Sequence, residues 1–514
     1  MLAKVKSALL IGIEAQPVIL EIDITRSGIP CFRMVGLAEG AVKESKERVF
    51  TALKNCGFKI PASRITVNLA PADIKKQGSA YDLPLAIGIL CALEKIEPSS
   101  LNDTLNDTLF IGELSLNGEL KPVYGALSIA MMAKETGIKR IILPEKNAKE
   151  ASVVDGIDCI AAGSLLECVE FLTGQKQPVP VKIDIKSLWS QREKFLIDFD
   201  EVKGQNHAKR AIEIAAAGSH NILFIGPPGS GKTMLAQRIP TVLPPLEFNE
   251  ALEVTRIYSV AGLLNNQSLI VRRPFRAPHH TISDAGLIGG GRYPSPGEVS
   301  LASKGVLFLD ELPEFKKHVL EVLRQPLEDG KVTISRASMS LTYPADFMLV
   351  AAMNPCPCGY FGDKKHTCIC TPTQIQRYRS KISGPLLDRI DLHVEVGPVP
   401  YEDLKQNVSG VSSKVMRERI LWARDVQHKR YKDLHFSTNS KLYGKWLNQF
   451  CSLGEKEHEF LQNAVEKLGL SARAYTRVLR IARTIADLDK KEKIEINHLA
   501  EAIGYRSLDR NFMV

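Results

Sequence analysis

The sequence has no apolar run long enough to span a membrane, and its short N-terminal apolar patch, MLAKVKSALLIGIEAQPV, is followed by no small-residue cleavage site. These absences argue against transmembrane helices and a secretory leader. They predict a cytoplasmic protein with no membrane partner, whose first strand begins at Glu14 and the β-branched run after it. No C-x-x-C pair occurs among the ten cysteines. In a cytoplasmic setting those cysteines are thiols or metal ligands rather than a disulfide framework. Neither sign of charge dominates: 67 Lys and Arg against 58 Asp and Glu leave a net +9, which permits a polyanionic partner without requiring one. At 514 residues the chain exceeds what one core organises, so two to four domains are expected.

What is present is organised around Asn221 to Thr233, NILFIGPPGSGKT. Ile222 to Ile225 reads as a buried parallel strand. It runs into Gly226-Pro227-Pro228-Gly229-Ser230-Gly231-Lys232-Thr233, which fits G-x-x-x-x-G-K-[ST], and a helix-prone segment follows from Met234 to Arg238. Glycines let such a loop curl until successive N–H groups converge on a phosphate, and the helix N-terminus adds its positive dipole end. Lys232 is placed to reach the β- and γ-phosphates of ATP, and the Thr233 hydroxyl to hold Mg²⁺.

Gly305-Val-Leu-Phe-Leu-Asp310-Glu311 supplies a second buried strand ending in two carboxylates. Adjacent side chains at a strand end diverge, so two roles are expected: Asp310 supports Mg²⁺, and Glu311 polarises the attacking water. A third apolar strand, Phe347 to Met353, ends at Asn354, a polar group suited to orienting that water. Cys356, Cys358, Cys368 and Cys370 form C-x-C-x₉-C-x-C beside His366, a set that suits a structural tetrahedral Zn²⁺, with free thiols as the alternative. In Gly384-Pro-Leu-Leu-Asp388-Arg389-Ile-Asp391, an arginine lies in an apolar turn, where it needs an anionic partner. Asp388 or Asp391 of the same chain would serve. The remainder reads as helices over Ser412–Arg430, Glu455–Lys467, Ser471–Leu488 and Ile496–Tyr505, with Ser471 as an N-cap. Arg473, Arg477 and Arg480 share one helical face, the last two expected to be solvated.

Residues 1–172 alternate strands and helices without a phosphate loop: Val18–Ile24, Ala38–Cys56, Ile65–Leu69, Leu83–Leu93, Thr108–Leu116 with a turn at Asn117-Gly118, Leu127–Glu135 and Arg140–Leu143. GELSLNGELKPVYGAL (Gly112 to Leu127) and AMMAKETGIKRIILPEKN (Ala130 to Asn147) resemble the proteolytic domain of Lon-type proteases, an α/β fold of the ribosomal S5 domain 2 type. The catalysis does not carry over. Ser128 stands where that family has its lysine, Tyr81-Asp82 replaces the small residues beside its nucleophile, and Ser79 is out of clear register. A serine without a base is a weak nucleophile at neutral pH.

Residues 196–510 resemble the Mg-chelatase-like branch of AAA+ ATPases, and with the Lon-like part the whole chain resembles the YifB/ComM family. RPFRAPHHTISDAGLIGGG (Arg273 to Gly291) and PSPGEVSLASKGVLFLDELPEF (Pro294 to Phe315) carry that likeness. The fold class implied is α/β: a protease-inactive Lon-like domain over 1–172, a linker over 173–195, an AAA+ P-loop core with a parallel sheet over 196–398, and an α-helical lid over 399–514. The likeness further implies that Gly204 and Gln205 line an adenine pocket, that Met234 follows the phosphate loop at the nucleotide, that Arg389 reaches a neighbouring subunit's γ-phosphate, and that Arg473 senses nucleotide from the lid. Ala285 to Gly291 would form a pore-directed insert and Lys331 to Phe347 a hairpin, both touching DNA. Arg272, Arg273, Arg276, Arg292 and Arg336 are then candidates for phosphate contact. The activity implied is ATP-dependent branch migration by a hexameric ring on single-stranded and branched or duplex DNA, alongside recombinase and transformation proteins. A metal-chelatase motor subunit shares the core, but its usual partner carries a D-x-S-x-S metal site that is not found here. A scaffold that uses ATP only to assemble on DNA remains open.

Overall fold

The computed structural model describes residues 2–26, 29–37, 40–76, 78–96, 105–291, 294–336, 339–363, 366–399 and 410–506. The chain forms two compact units, one of Met1–Ser190 with Phe248–Ile270, the other of Gln191–Glu247 with Val271–Val514.

The first unit is built on a seven-stranded mixed sheet in the order Cys31–Val35, Arg64–Ala70, Glu14–Thr25, Leu2–Ile11, Thr108–Phe110, Arg140–Pro144, Asp158–Ala162. Its first strand is Leu2–Ile11, not the one starting at Glu14. The two form a hairpin in which Ile11 opposes Glu14 across a turn with Gly12 at φ +65°. Lys4 and Lys6 ahead of an unbroken Ala-Leu-Leu-Ile run hide the period-2 alternation in that strand. The expected strand Thr108–Leu116 stops at Phe110, and Glu113–Leu114 instead pairs with Leu120–Lys121 around the Asn117-Gly118 turn. The helix Asp82–Ala92 is buried along its whole length. Asp82 at its N-terminus takes two hydrogen bonds from the Arg48 guanidinium, at 2.7 and 3.0 Å, and one from the Leu114 amide. A buried carboxylate needs such partners. The helix Phe248–Val260, although it follows the phosphate loop in sequence, packs here. Arg256 donates to the Ile13 carbonyl at 2.9 Å and pairs with Glu14 at 2.8 Å, while Ser259 donates to Glu150 at 2.6 Å.

The second unit holds a five-stranded parallel sheet in the order Phe275–Arg276, Val306–Leu309, Met348–Met353, Ile222–Ile225, Leu392–Glu395. Three of its strands are apolar throughout and buried on both faces, as parallel strands covered by helices should be. Ile222, Phe224, Val306, Phe308, Val350 and Val394 share one core with Ile212 of the helix Asn206–Gly218 and with Ile481 and Ile485 of the helix Ala472–Leu488. The C-terminal helices Ser413–Arg430, Glu455–Leu468, Ala472–Leu488 and Ile496–Gly504 lie within a residue or two of their expected bounds. Ser412 and Ser471 cap two of them, accepting from Val415 and Ala474. Within residues 173–195, read from the sequence as a linker, Ile185–Ser190 is a short helix.

Candidate functional site

The strand Ile222–Ile225 delivers the chain to Gly226, whose amide donates to the Met353 carbonyl at 3.2 Å. Register does this: Ile225 faces Met353, so Gly226 and Asn354 emerge side by side. A Cβ on Gly226 would collide with the Val396 carbonyl, which leaves glycine as the residue that fits. Gly229 at φ +75° and Gly231 at φ +90° curl the loop, and the helix Lys232–Val242 starts immediately behind it. Open space surrounds the Gly229 Cα. Ser230 Oγ is buried with no hydrogen-bond partner among the described residues. A glycine cradle at a helix N-terminus with an orphaned hydroxyl fits the polyphosphate of ATP.

Lys232 is 9% exposed, and its ammonium donates to the Gly226 and Pro227 carbonyls at 2.7 and 2.9 Å and to Asn354 Oδ1 at 3.2 Å. Burial pulls its pKa below the ordinary lysine value, while the Asp310 charge opposes that shift. Thr233 Oγ1 donates to Asp310 Oδ2 at 2.8 Å, a pair of hard oxygen donors of the kind Mg²⁺ takes. Glu311 points elsewhere: at φ +53° its backbone is left-handed, and its carboxylate meets His280 Nδ1 at 3.2 Å. The two adjacent carboxylates therefore diverge, as their place at a strand end dictates. Gln205, at φ +55°, donates from Nε2 to the Gly397 carbonyl at 2.7 Å and the Ser230 carbonyl at 3.4 Å, which places Gly204-Gln205 against the phosphate loop.

Arg389 is held within its own chain. It donates from Nη1 to the Pro385 carbonyl at 2.6 Å and from Nη2 to Glu328, not to Asp388 or Asp391, while its buried Nε has no hydrogen-bond partner among the described residues. Arg473 is exposed and pairs with Asp388 at 3.2 Å. Arg477 and Arg480, expected in solvent, are half-buried. Arg477 is 12% exposed and faces Asp391 at 3.6 Å and the Ile390 carbonyl at 3.4 Å. Asp391 also meets His220 and the Asn221 amide, each at 3.3 Å. His220 heads the causes that hold Asp391 far below the usual carboxylate range against its burial. Beside it, burial drives the His393 pKa well down, and neither ring nitrogen has a hydrogen-bond partner among the described residues. Asn221 and Arg506 grip the same segment, donating to the Arg389 and Ile390 carbonyls at 2.8 and 2.7 Å.

The four cysteine sulfurs lie within 4.8 Å of one another. Neighbouring pairs are 3.3, 3.6 and 3.7 Å apart. A tetrahedral zinc with Zn–S of about 2.3 Å spaces its sulfurs by about 3.8 Å, so the set fits that ion. The Phe361 amide donates to Cys356 Sγ at 3.3 Å and the Cys358 amide to Cys370 Sγ at 3.4 Å.

Family models described as magnesium chelatase, subunit ChlI, match residues 198–404 and, for the C-terminal part, 410–506, while a further ChlI subunit model matches 20–147. The chain is 46% identical over 512 residues to competence protein ComM of Haemophilus influenzae, covering 99% of this chain and 98% of that one. The chain belongs to the ComM/YifB family. The YifB protein of Escherichia coli is 43% identical over 505 residues, 97% of this chain and 96% of its own. Lon protease 2 of Bacillus subtilis is 30% identical over 161 residues, 30% of this chain and 27% of that one. The chain is thus a Mg-chelatase-like AAA+ ATPase, a class whose cofactors are ATP and Mg²⁺. No helix among the described residues is long and apolar enough to cross a membrane.

Within this ComM/YifB chain, the structure unites Lys232, Thr233, Asp310 and Asn354 through direct hydrogen bonds. Of the arginines expected at DNA, Arg273 is engaged by the Pro244 and Lys304 carbonyls at 2.5 and 2.6 Å. Arg276 makes a two-pronged ion pair with Glu298 at 2.6 and 2.7 Å. Arg272 lies over the Phe195 ring and donates to the Gln191 carbonyl. Glu298 offsets the Arg276 charge, and backbone carbonyls occupy donors of Arg272 and Arg273. Arg292 lies outside the described residues. Arg336 is exposed near the tip of an antiparallel hairpin, Lys331–Arg336 with Met339–Pro344. It sits against Gly290 of the insert, where Asp284–Ile288 is a short helix and Gly289–Gly290 pairs with Ser295–Pro296. Tyr343 ties the two together by donating to the Pro294 carbonyl at 2.7 Å. His280 was not singled out from sequence. Its place in the Ala-Pro-His-His run before the insert was the available signal.

Proposed function

We propose that the chain is an ATP-driven DNA motor that assembles as a ring, a hexamer, and drives branch migration when single-stranded DNA is integrated during natural transformation. The observation that supports the DNA reading best is the convergence of the insert and the Lys331–Pro344 hairpin, with Arg336 exposed where they meet. That a relative nearly as long as this chain is named a competence protein agrees with it. ATP supplies the free energy and Mg²⁺ the charge neutralisation for phosphoryl transfer to water.

In this reading Lys232 turns its ammonium from the loop carbonyls to the β- and γ-phosphate oxygens. Thr233 and Asp310 hold the metal, Glu311 takes the proton of the attacking water, and Asn354 orients that water. Gly204 and Gln205 border the base. Arg389 of one subunit leaves Glu328 for the γ-phosphate at its neighbour, and Arg473 reports nucleotide from the lid side. The four cysteines hold a structural Zn²⁺. Residues 1–172 form a Lon-like domain without peptidase activity, since Ser128 donates to the Ile13 carbonyl at 2.7 Å where Lon-type enzymes need a lysine. The protein works in the cytoplasm on single-stranded and branched DNA, beside recombinase and transformation proteins. The test is ATP turnover with and without DNA. Turnover stimulated by DNA and abolished in Lys232→Ala supports the reading; turnover indifferent to every DNA form overturns its DNA half.

A further inference from the structure

The cysteine cluster is joined to the nucleotide site twice. By chain, Cys356 follows Asn354-Pro355 directly, at the tip of the strand Met348–Met353. Through space, Gly359 lies against the phosphate loop: a Cβ built on it would stand 2.6 Å from Pro228 Cδ and 2.9 Å from Cγ. The contact is between backbone and a proline ring, neither of which has a rotamer to change. Gly359 is at φ +87°, and its amide closes a turn onto the Cys356 carbonyl at 3.0 Å, so its position follows from that of the first cysteine.

Side-chain contacts within the loop are local: the His366 and Tyr360 ring centroids are 4.8 Å apart, and His366 faces Asp363 at 3.7 Å. Phe361 is 48% exposed and Ile369 is 84% exposed, so these apolar residues do not anchor it to a core. Its far end runs from Cys370 into Thr371, which caps the helix Pro372–Arg379. Arg379 of that helix returns to donate to the Pro355 carbonyl at 3.2 Å and lies over the Phe361 ring. A metal on the four sulfurs would close this circuit into a rigid unit, because metal binding supplies ordering that a small apolar loop cannot.

We infer that the four-thiolate site is a strut for the phosphate loop: with metal bound, Gly359 buttresses Pro228, and loss of the metal frees the loop and weakens nucleotide binding. The inference rests on the zinc and ATP-site readings above and adds a coupling between them. Gly359 and Pro228 act as positioning residues, through the loop amides and Lys232, on the bound phosphates.

The test measures zinc per chain and Mg·ATP affinity on the full-length protein. Zinc is stripped from wild type with a chelator, circular dichroism checks that the fold persists, and zinc is then restored. Affinity is expected to fall roughly ten-fold on stripping, about 1.4 kcal/mol of phosphate contact, and to recover when zinc is restored. Gly359→Val keeps all four thiols and is expected to retain zinc yet bind nucleotide as weakly as the stripped protein. If stripping unfolds the chain, this variant decides alone. A folded, metal-free chain with unchanged affinity overturns the coupling, as does zinc-loaded Gly359→Val with wild-type affinity. The underlying readings fail differently: a chain purified without chelator that holds no zinc removes the metal reading, and undiminished ATP binding by Lys232→Ala removes the ATP-site reading.

Discussion

Asp310 and Glu311 are neighbours in the chain with unlike partners, Thr233 for one and His280 for the other. The account assigns metal support to the first and proton abstraction to the second, so Glu311→Gln keeps nucleotide binding while turnover falls by about 10²–10⁴. Phosphate release measured beside filter binding checks this, and near-wild-type turnover would move the water-activating role to another residue. The phosphate loop and both carboxylates were legible because their chemistry is local: glycine spacing, a buried strand and a strand end specify them within a few residues. The His280–Glu311 pair was not legible, because it joins segments that are distant in sequence and meet only through the pairing of Phe275–Arg276 with Val306–Leu309. The partner of Arg389 was hidden in the same way. Need for an anion could be read from the apolar turn, but the chain chose Glu328, from a helix distant in sequence, over the adjacent Asp388 and Asp391.

At the scale of an element, the helix Ala472–Leu488 shows where reading by composition fails. Arg477 and Arg480 read as solvated, yet both are half-buried beside Asp391, just ahead of the strand Leu392–Glu395. Helical periodicity separates polar from apolar residues, but it cannot show that a carboxylate is waiting in the core. Replacing Arg477 by Met leaves Asp391 with fewer counter-charges in a dry site and is expected to cost about 3 kcal/mol of stability, read from urea unfolding. Arg389 turnover should drop with it, since Arg477 holds the Ile390 carbonyl next door.

The strand Leu392–Glu395, against which that arginine pair sits, carries a pH dependence. His393 is neutral in the fold, its pKa pushed well below the ordinary value by burial. Below about pH 6.5 the unfolded chain binds a proton there that the native chain does not, so stability falls as pH falls, by up to about 1.4 kcal/mol per pH unit. Asp391, depressed in the fold, contributes stability above the ordinary carboxylate pKa and loses it only in stronger acid. The difference between wild type and His393→Leu in unfolding midpoint between pH 7 and pH 5 isolates the histidine, and the variant's profile should be the flatter. An unchanged difference across that range would show that His393 does not set the slope.

For the whole molecule, the α/β class, the parallel sheet around the phosphate loop and the helical C-terminal part were legible because each rests on strongly periodic or fully apolar segments. The composition of the compact units was not. The helix Phe248–Val260 joins the N-terminal unit through Arg256 and Ser259, whose partners Ile13, Glu14 and Glu150 lie far back in the chain. If sites in the ring are completed by a neighbour, Lys232→Ala and Arg389→Ala, each inactive alone, should regain part of the turnover when mixed. An Arg389→Ala subunit keeps its own phosphate loop and borrows the arginine of the Lys232→Ala subunit beside it. No recovery in assembled mixtures would place Arg389 in its own chain's service, with Glu328.

The central claim, an ATP-driven motor on branched DNA, is tested most directly by branch migration on a three-strand DNA substrate with Lys232→Ala beside wild type. The account predicts strand movement that requires ATP and is lost in the variant. DNA binding and ATP turnover without strand movement would contradict it and leave a scaffold that uses ATP only to assemble.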